Sequence, residues 1–173
     1  ILGHTVATGS IYGVRLLELM QGTSVETQLI FSKWGAHTLA EETPYSLDHV
    51  QNLATHSYRS HDEGAAIASG SFLTGGMVVC PCSVRSLAAI AHGHGDNLIH
   101  RAADVVLKER RRLVLVVRET PLSDIHLENM LKLSRMGVVI FPPVPAFYTQ
   151  PRTLGDVVNQ TSVRILDQFN IHL

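Results

Sequence analysis

The sequence predicts an α/β fold with a mainly parallel sheet, and three observations carry the prediction. Apolar runs and helical stripes alternate from one end of the chain to the other. The runs Met77-Val78-Val79-Cys80 and Leu113–Val117 are unbroken, which requires helices on both faces of the sheet and hence three layers. Internal repeats, low-complexity tracts and linkers are absent, so residues 1–173 read as a single domain.

The elements follow in order. Ile1–Val6 is a first strand, and the small-residue turn Ala7-Thr8-Gly9-Ser10 leads into a helix with apolar residues at Ile11, Val14, Leu17 and Leu19–Met20, ending near Gly22. Val25–Phe31 is the second strand. Lys33–Thr43 is a helix stopped before Pro44, because the residue preceding proline avoids the α region. Ser46–Ala54 reads as helical and Thr55–Gly64 as a polar loop. Gly76–Pro81 contains the buried strand Met77–Cys80, and Ser83 caps a helix to about His92. Asp96 or Asn97 caps a longer helix through Arg110, before the strand Leu113–Val117. Ser123 or Asp124 opens a helix ending at Gly137, with the strand Val138–Phe141 behind it. A proline-rich loop over 142–151 precedes a last helix over Gly155–Phe169.

Composition narrows the function classes. Hydrophobic residues make up 45% and charged residues 17%, the reverse of a disordered chain. A net charge of −1 argues against a nucleic-acid partner, which draws on basic excess. No apolar run is long enough to span a membrane. So little charge on a soluble domain points to surface hidden in a homo-oligomer. Cys80 and Cys82 flank Pro81 at a strand end, with Cα atoms about 6.6 Å apart in extended chain, near the limit for a bridge. Free thiols favour the cytoplasm. The chain opens on Ile1 without a basic segment, so no signal peptide is expected.

Several residue groups suggest chemistry. The turn Thr5–Ser10 lets a backbone approach a phosphate and offers it the N–H groups of a helix N-terminus, although a plain βα turn explains it equally well. Ser69-Gly70-Ser71 and Pro81–Ser86 place hydroxyls around a strand, and strand carboxyl ends are where open α/β sheets bind ligands. Arg101 and Lys108 lie almost two turns apart on one helix face, and Arg118 ends the next strand. Converging on one mouth, the three cations would clamp a phosphate; otherwise they are solvated charges. Arg118-Glu119 at a strand's carboxyl end is either a working pair or a structural ion pair. His92-x-His94 lacks further ligands, so no metal is expected.

Together, Ser69–Ser71, MVVCPCSVRSL from Met77, NLIHRAADVVLKERRRLVL from Asn97, RETPLSDIHLENMLKL from Arg118 and PPVPAFYTQP from Pro142 resemble the flavin prenyltransferase (UbiX-type) family, among the Cys-decarboxylase-like flavoproteins. The resemblance covers nearly the whole chain. It implies a Rossmann-like, flavodoxin-like sandwich that binds FMN in a large homo-oligomer, typically a dodecamer, without a metal. It implies transfer of a dimethylallyl group from dimethylallyl phosphate to reduced FMN, at N5 and then C6. The prenylated FMN would be supplied to a UbiD-type decarboxylase. By the match, Ala7, Thr8, Gly9, Ser32, Ser83, Ser86 and Arg118 contact FMN. Ser69, Arg101, Lys108, Glu119, Tyr148 and Arg164 hold the prenyl phosphate, some of them across a subunit interface. Glu42 would move a proton during ring closure, Glu119 would carry one to the phosphate, and Thr8 and Lys108 join them as catalytic residues.

Two departures stand out. Val6 replaces the first glycine of the family's turn, and a β-branched side chain there resists positive φ and adds bulk beside the flavin. The chain also stops at Leu173, short of the tail that many members carry. The alternatives are an FMN-dependent cysteine decarboxylase, whose Pro-Ala-Ser-Ala-Asn-Thr sequence is replaced here by Pro81–Ser86, and a non-catalytic FMN-binding accessory subunit of an aromatic-acid decarboxylase.

Overall fold

A computed structural model describes residues 1–173. Six strands form one sheet: β1 (Leu2–His4), β2 (Gln28–Phe31), β3 (His56–Arg59), β4 (Gly76–Cys82), β5 (Arg112–Val117) and β6 (Val139–Ile140). Their order is β3-β2-β1-β4-β5-β6, and every pair is parallel. The helices are α1 (Ser10–Met20), α2 (Lys33–Glu42), α3 (Leu47–Asn52), α4 (Val84–His92), α5 (Leu98–Lys108), α6 (Asp124–Arg135) and α7 (Leu154–Asp167).

The two-residue period of the strands, shifted by an irregularity in β4 between Val79 and Cys82, builds the three flavodoxin-like layers. On one face Met77, Val79 and Cys82 of β4 join Leu113, Leu115 and Val117 of β5 beneath α4 and α5. On the other, Val78, Cys80, Val114 and Val116 pack with Val14, Leu17, Ile165 and Leu166 of α1 and α7. Both sets are buried, so neither strand shows polar alternation in the sequence. Both cysteines are free and buried.

Local chemistry starts the helices close to where the sequence put them, while several end one or two residues earlier than expected. Ser32, Ser46, Ser83, Asn97, Ser123 and Thr153 each accept a backbone N–H as N-cap. Two expectations fail. The stretch 55–64 is not all loop: His56–Arg59 adds a parallel edge strand to β2. Its side chains are mostly exposed, so the apolar signal of a strand is missing. Val6, besides, carries no positive φ, because Gly9 takes the left-handed turn at φ 103°; the Val6 side chain is 43% exposed at that turn.

The strand order reverses between β1 and β4, which opens a crevice at their carboxyl ends. Thr5 laces that crevice together. Its hydroxyl donates to the Pro81 carbonyl at 2.8 Å and accepts the Ser83 N–H at 2.9 Å.

Candidate functional site

Three helix N-termini meet at this carboxyl edge. Helix α1 follows β1, α2 follows β2 and α4 follows β4, each through a short turn. They begin at Gly9, Ser32 and Ser83. The Ser32 N–H donates to the His4 carbonyl at 3.0 Å, which ties the α2 turn to β1. The Arg118 N–H donates to the Cys82 carbonyl at 3.2 Å, which brings the end of β5 to the same rim. Seven of the expected residues therefore share one rim: Ala7, Thr8, Gly9, Ser32, Ser83, Ser86 and Arg118.

Helix α1 has no capping side chain of its own. Glu42, at the end of α2, caps it instead. Its Oε2 accepts the N–H of Gly9 at 2.8 Å and of Ser10 at 3.1 Å. Burial pushes the Glu42 carboxyl up, but the Thr8 hydroxyl and these two N–H groups outweigh it and hold the group below its ordinary range. Glu42 is thus a carboxylate at neutral pH, anchored to the turn that carries Thr8.

The residues expected at the prenyl phosphate do not all join this rim. Helix α5 runs back from the carboxyl edge, so Lys108 lies beside the start of β5 while Arg118 follows its end. Six strand residues separate those ends by about 20 Å. The expected convergence of Arg101, Lys108 and Arg118 on one mouth therefore fails within one protomer. Instead Arg101 and Lys108 border the segment that carries Ser69. Arg101 Nε donates to the Ala68 carbonyl at 3.2 Å, and Nη1 pairs with Asp104 at the same distance. Lys108 pairs with Glu109. The Ser69 hydroxyl meets that of Ser71 at 2.9 Å.

Nor do Arg118 and Glu119 form an ion pair. The Arg118 side chain is exposed, and Glu119 Oε1 accepts only the N–H of Thr120, at 3.3 Å. Tyr148 is 82% exposed on a single turn between β6 and α7. Arg164 pairs with Asp167 at 2.7 Å on α7.

The rim suits an electron-rich ligand. Ser32 and Ser83 accept from Gly35 and Ser86, but their own hydroxyl protons have no acceptor within the chain. Those protons, the helix N-termini and the Arg118 guanidinium form a donor set suited to anionic and carbonyl oxygens of a ligand. An apolar cavity of about 270 Å³ lies at the opposite edge, lined by Leu2, Leu16, Met20, Leu166 and Phe169, and no site residue borders it. No three His, Cys, Asp or Glu side chains gather as metal ligands.

Comparison with known proteins agrees with this fold. The flavoprotein family profile matches residues 1–165. The flavin prenyltransferase LpdB of Lactiplantibacillus plantarum is 54% identical over 173 residues, covering 99% of this chain and 92% of its own. The chain belongs to the flavin prenyltransferases of the flavoprotein family.

Among solved structures, a dodecameric FMN-dependent UbiX-like decarboxylase from Escherichia coli O157:H7 superposes with a TM-score of 0.97 at 55% identity, covering 99% of this chain and 94% of that one. AnUbiX in complex with FMN and dimethylallyl pyrophosphate gives a TM-score of 0.97 at 49% identity, with coverage of 99% and 91%. Cysteine decarboxylases, at 14–17% identity, share the fold alone.

Sequence reasoning placed Thr5 in the candidate turn but not its bonds to Pro81 and Ser83, and it missed His4 and His100. Thr5 knits the crevice. His4 is buried against Phe31 with ring centroids 4.4 Å apart and no partner for either ring nitrogen. The only signal for this pair was two polar residues ending an apolar strand. His100 gave none, since it lies on the buried face of a helix.

Proposed function

We propose that this chain, working as one domain over residues 1–173, is a flavin prenyltransferase that joins the dimethylallyl group of dimethylallyl phosphate to reduced FMN. The observation that carries the reading is the carboxyl-edge rim, where three helix N-termini, three serine hydroxyls and Arg118 surround a turn anchored by the Glu42 carboxylate. Ala7, Thr8, Gly9, Ser32, Ser83, Ser86 and Arg118 hold FMN. When bound and reduced, FMN would offer N5 to the allylic carbon and then C6 to close a ring with the far carbon of the unit's double bond.

The protein's task is then electrostatic. The bond between the allylic carbon and the phosphate oxygen breaks, and its electron pair stays with the phosphate. Lys108, Arg101 and Arg164, with the hydroxyls of Ser69 and Tyr148, stabilise that charge. Glu119 delivers a proton to the departing phosphate. Glu42, already ionised, takes up the proton that C6 loses as the ring closes, which balances the proton the unit's double bond gains. Thr8 donates to Glu42 and so keeps the carboxylate in place.

This division of labour needs more than one copy, because Lys108 and the FMN rim lie at opposite ends of β5. A homo-oligomer, in the dodecameric form of the Escherichia coli relative, supplies the missing half of each site from a neighbour. Exposed apolar side chains support such contacts: Val144, Phe147 and Leu154 around Tyr148, and Ile125 and Leu131 on α6. The product passes to a UbiD-type decarboxylase in the cytoplasm. That partner rests on the family resemblance, and the compartment on the two free thiols. No helix is long and apolar enough to cross a membrane.

Anaerobic incubation with reduced FMN and dimethylallyl phosphate, followed by mass spectrometry of the flavin, tests the proposal. The reading expects the flavin to gain one five-carbon unit. Flavin that binds and leaves unmodified would instead support the accessory-subunit alternative.

A further inference from the structure

Helix α5 carries a buried polar residue that the proposed chemistry leaves unused. His100 is 6% exposed. Its backbone N–H donates to Oδ1 of Asn97, the N-cap of α5, at 3.0 Å. A backbone N–H needs an oxygen, so the Asn97 amide is fixed with Oδ1 on the helix and Nδ2 toward the imidazole. Nδ2 lies 3.2 Å from His100 Nδ1. An amide NH₂ only donates, so Nδ1 is the acceptor and the neutral ring carries its proton on Nε2.

Nε2 in turn lies 3.0 Å from the Ser86 hydroxyl oxygen and donates to it. This is the only hydrogen bond that oxygen makes. Ser86 is 5% exposed, yet its own proton has no acceptor within the chain. A buried hydroxyl with an unspent proton costs free energy unless a ligand accepts it. Burial holds the His100 imidazole below its ordinary range, with Asp96 opposing the shift and Arg85 adding to it, so the ring is neutral at physiological pH.

We infer that His100 is a positioning residue for the flavin: fixed by Asn97 as the Nε2–H tautomer, it makes Ser86 an obligatory hydrogen-bond donor to an oxygen of FMN. Left alone, a serine hydroxyl donates or accepts as its surroundings ask. With His100 donating to it, Ser86 matches the other donors of the rim and cannot turn its proton inward. The inference rests on the reading of Ser86 as an FMN contact.

Asn97→Asp tests it with little change of shape. Aspartate still caps α5, while its second oxygen accepts from the ring and so recruits the Nδ1–H tautomer. Nε2 then becomes an acceptor and captures the Ser86 proton. Proton–nitrogen correlation spectra of the free protein report the tautomer directly, read at about pH 9, where the ring is neutral in both proteins. Wild type should show Nε2–H and Asn97→Asp should show Nδ1–H. FMN affinity should fall about tenfold in the variant, the loss of one good hydrogen bond.

The added negative charge could lower affinity by itself, so the same substitution is measured in a Ser86→Ala background. If the effect runs through the hydroxyl, the penalty vanishes there. A wild-type Nδ1–H tautomer, or an equal penalty with and without the Ser86 hydroxyl, overturns the inference. Ser86→Ala binding FMN as tightly as wild type would instead overturn the assignment of Ser86 to the flavin, while the tautomer result stands apart from it.

Discussion

Glu42 caps α1 and, in the proposed reaction, takes up a proton, and a pair of substitutions separates the two roles. Its Oε2 receives two N–H groups from the otherwise uncapped N-terminus of α1. Replacing a capping side chain with alanine costs about 0.5–2 kcal/mol, and the exposed setting of Glu42 places this case near 1 kcal/mol. For a chain of this length that lowers the melting temperature by about 2–4 °C. Glu42→Gln keeps an oxygen at the same reach, so it should retain most of that stability. Neither variant can accept a proton in ring closure. Thermal melts beside single-turnover kinetics, with reduced FMN bound, give the comparison. The expected result is a small melting shift for Glu42→Ala, almost none for Glu42→Gln, and a rate reduced about 10²–10⁴-fold in both, the usual worth of a general base. A rate in Glu42→Gln near wild type would refute the proton role and leave only the cap.

Three further outcomes follow from particular contacts. A Cβ on Gly35 would stand 2.7 Å from His4 Nδ1 and 2.8 Å from the His4 carbonyl oxygen, so Gly35→Ala should cost about 1–3 kcal/mol by overpacking; an unchanged urea midpoint contradicts this. Burial holds the His4 imidazole down at about 4, against 6.5 in the unfolded chain. The unfolded state therefore binds the extra proton as pH falls through that window, and stability should drop by about 3 kcal/mol more between pH 7 and pH 4 in wild type than in His4→Leu. Equal acid sensitivity in urea titrations of the two proteins would remove His4 from the account. Lys108→Ala breaks only an exposed pair with the adjacent Glu109, so its melting curve should match wild type while prenyl transfer slows about 10²–10³-fold; a melting shift with normal transfer reverses the assignment.

What could be read from residues alone depended on how local its cause was. Strands β4 and β5 are apolar on both faces and announce themselves, whereas His56-Ser57-Tyr58-Arg59 pairs at an exposed edge and looks like loop. Ser83 and Ser123 cap helices through bonds three residues away, and the sequence shows them. Thr5 and Ser83 meet across 78 positions, and Glu42 reaches Gly9 across 33, separations that no periodicity encodes. The error over Arg101, Lys108 and Arg118 has the same origin. Helical spacing correctly put Arg101 and Lys108 on one helix, but a helix returning to a parallel sheet ends beside the strand's start, far from Arg118. Resemblance supplied expected roles that spacing could not, including those of Glu42 and Arg164.

The central claim is that one copy holds the FMN rim and another supplies Lys108. Subunit mixing measures this directly. Lys108→Ala and Glu42→Gln proteins, each inactive alone, are dissociated together, reassembled and assayed for prenyl transfer. A site shared between copies restores activity, because some sites then draw an intact Glu42 from one chain and an intact Lys108 from its neighbour. Mixed assemblies as inactive as their parents would place both residues in the same chain's site and contradict the account.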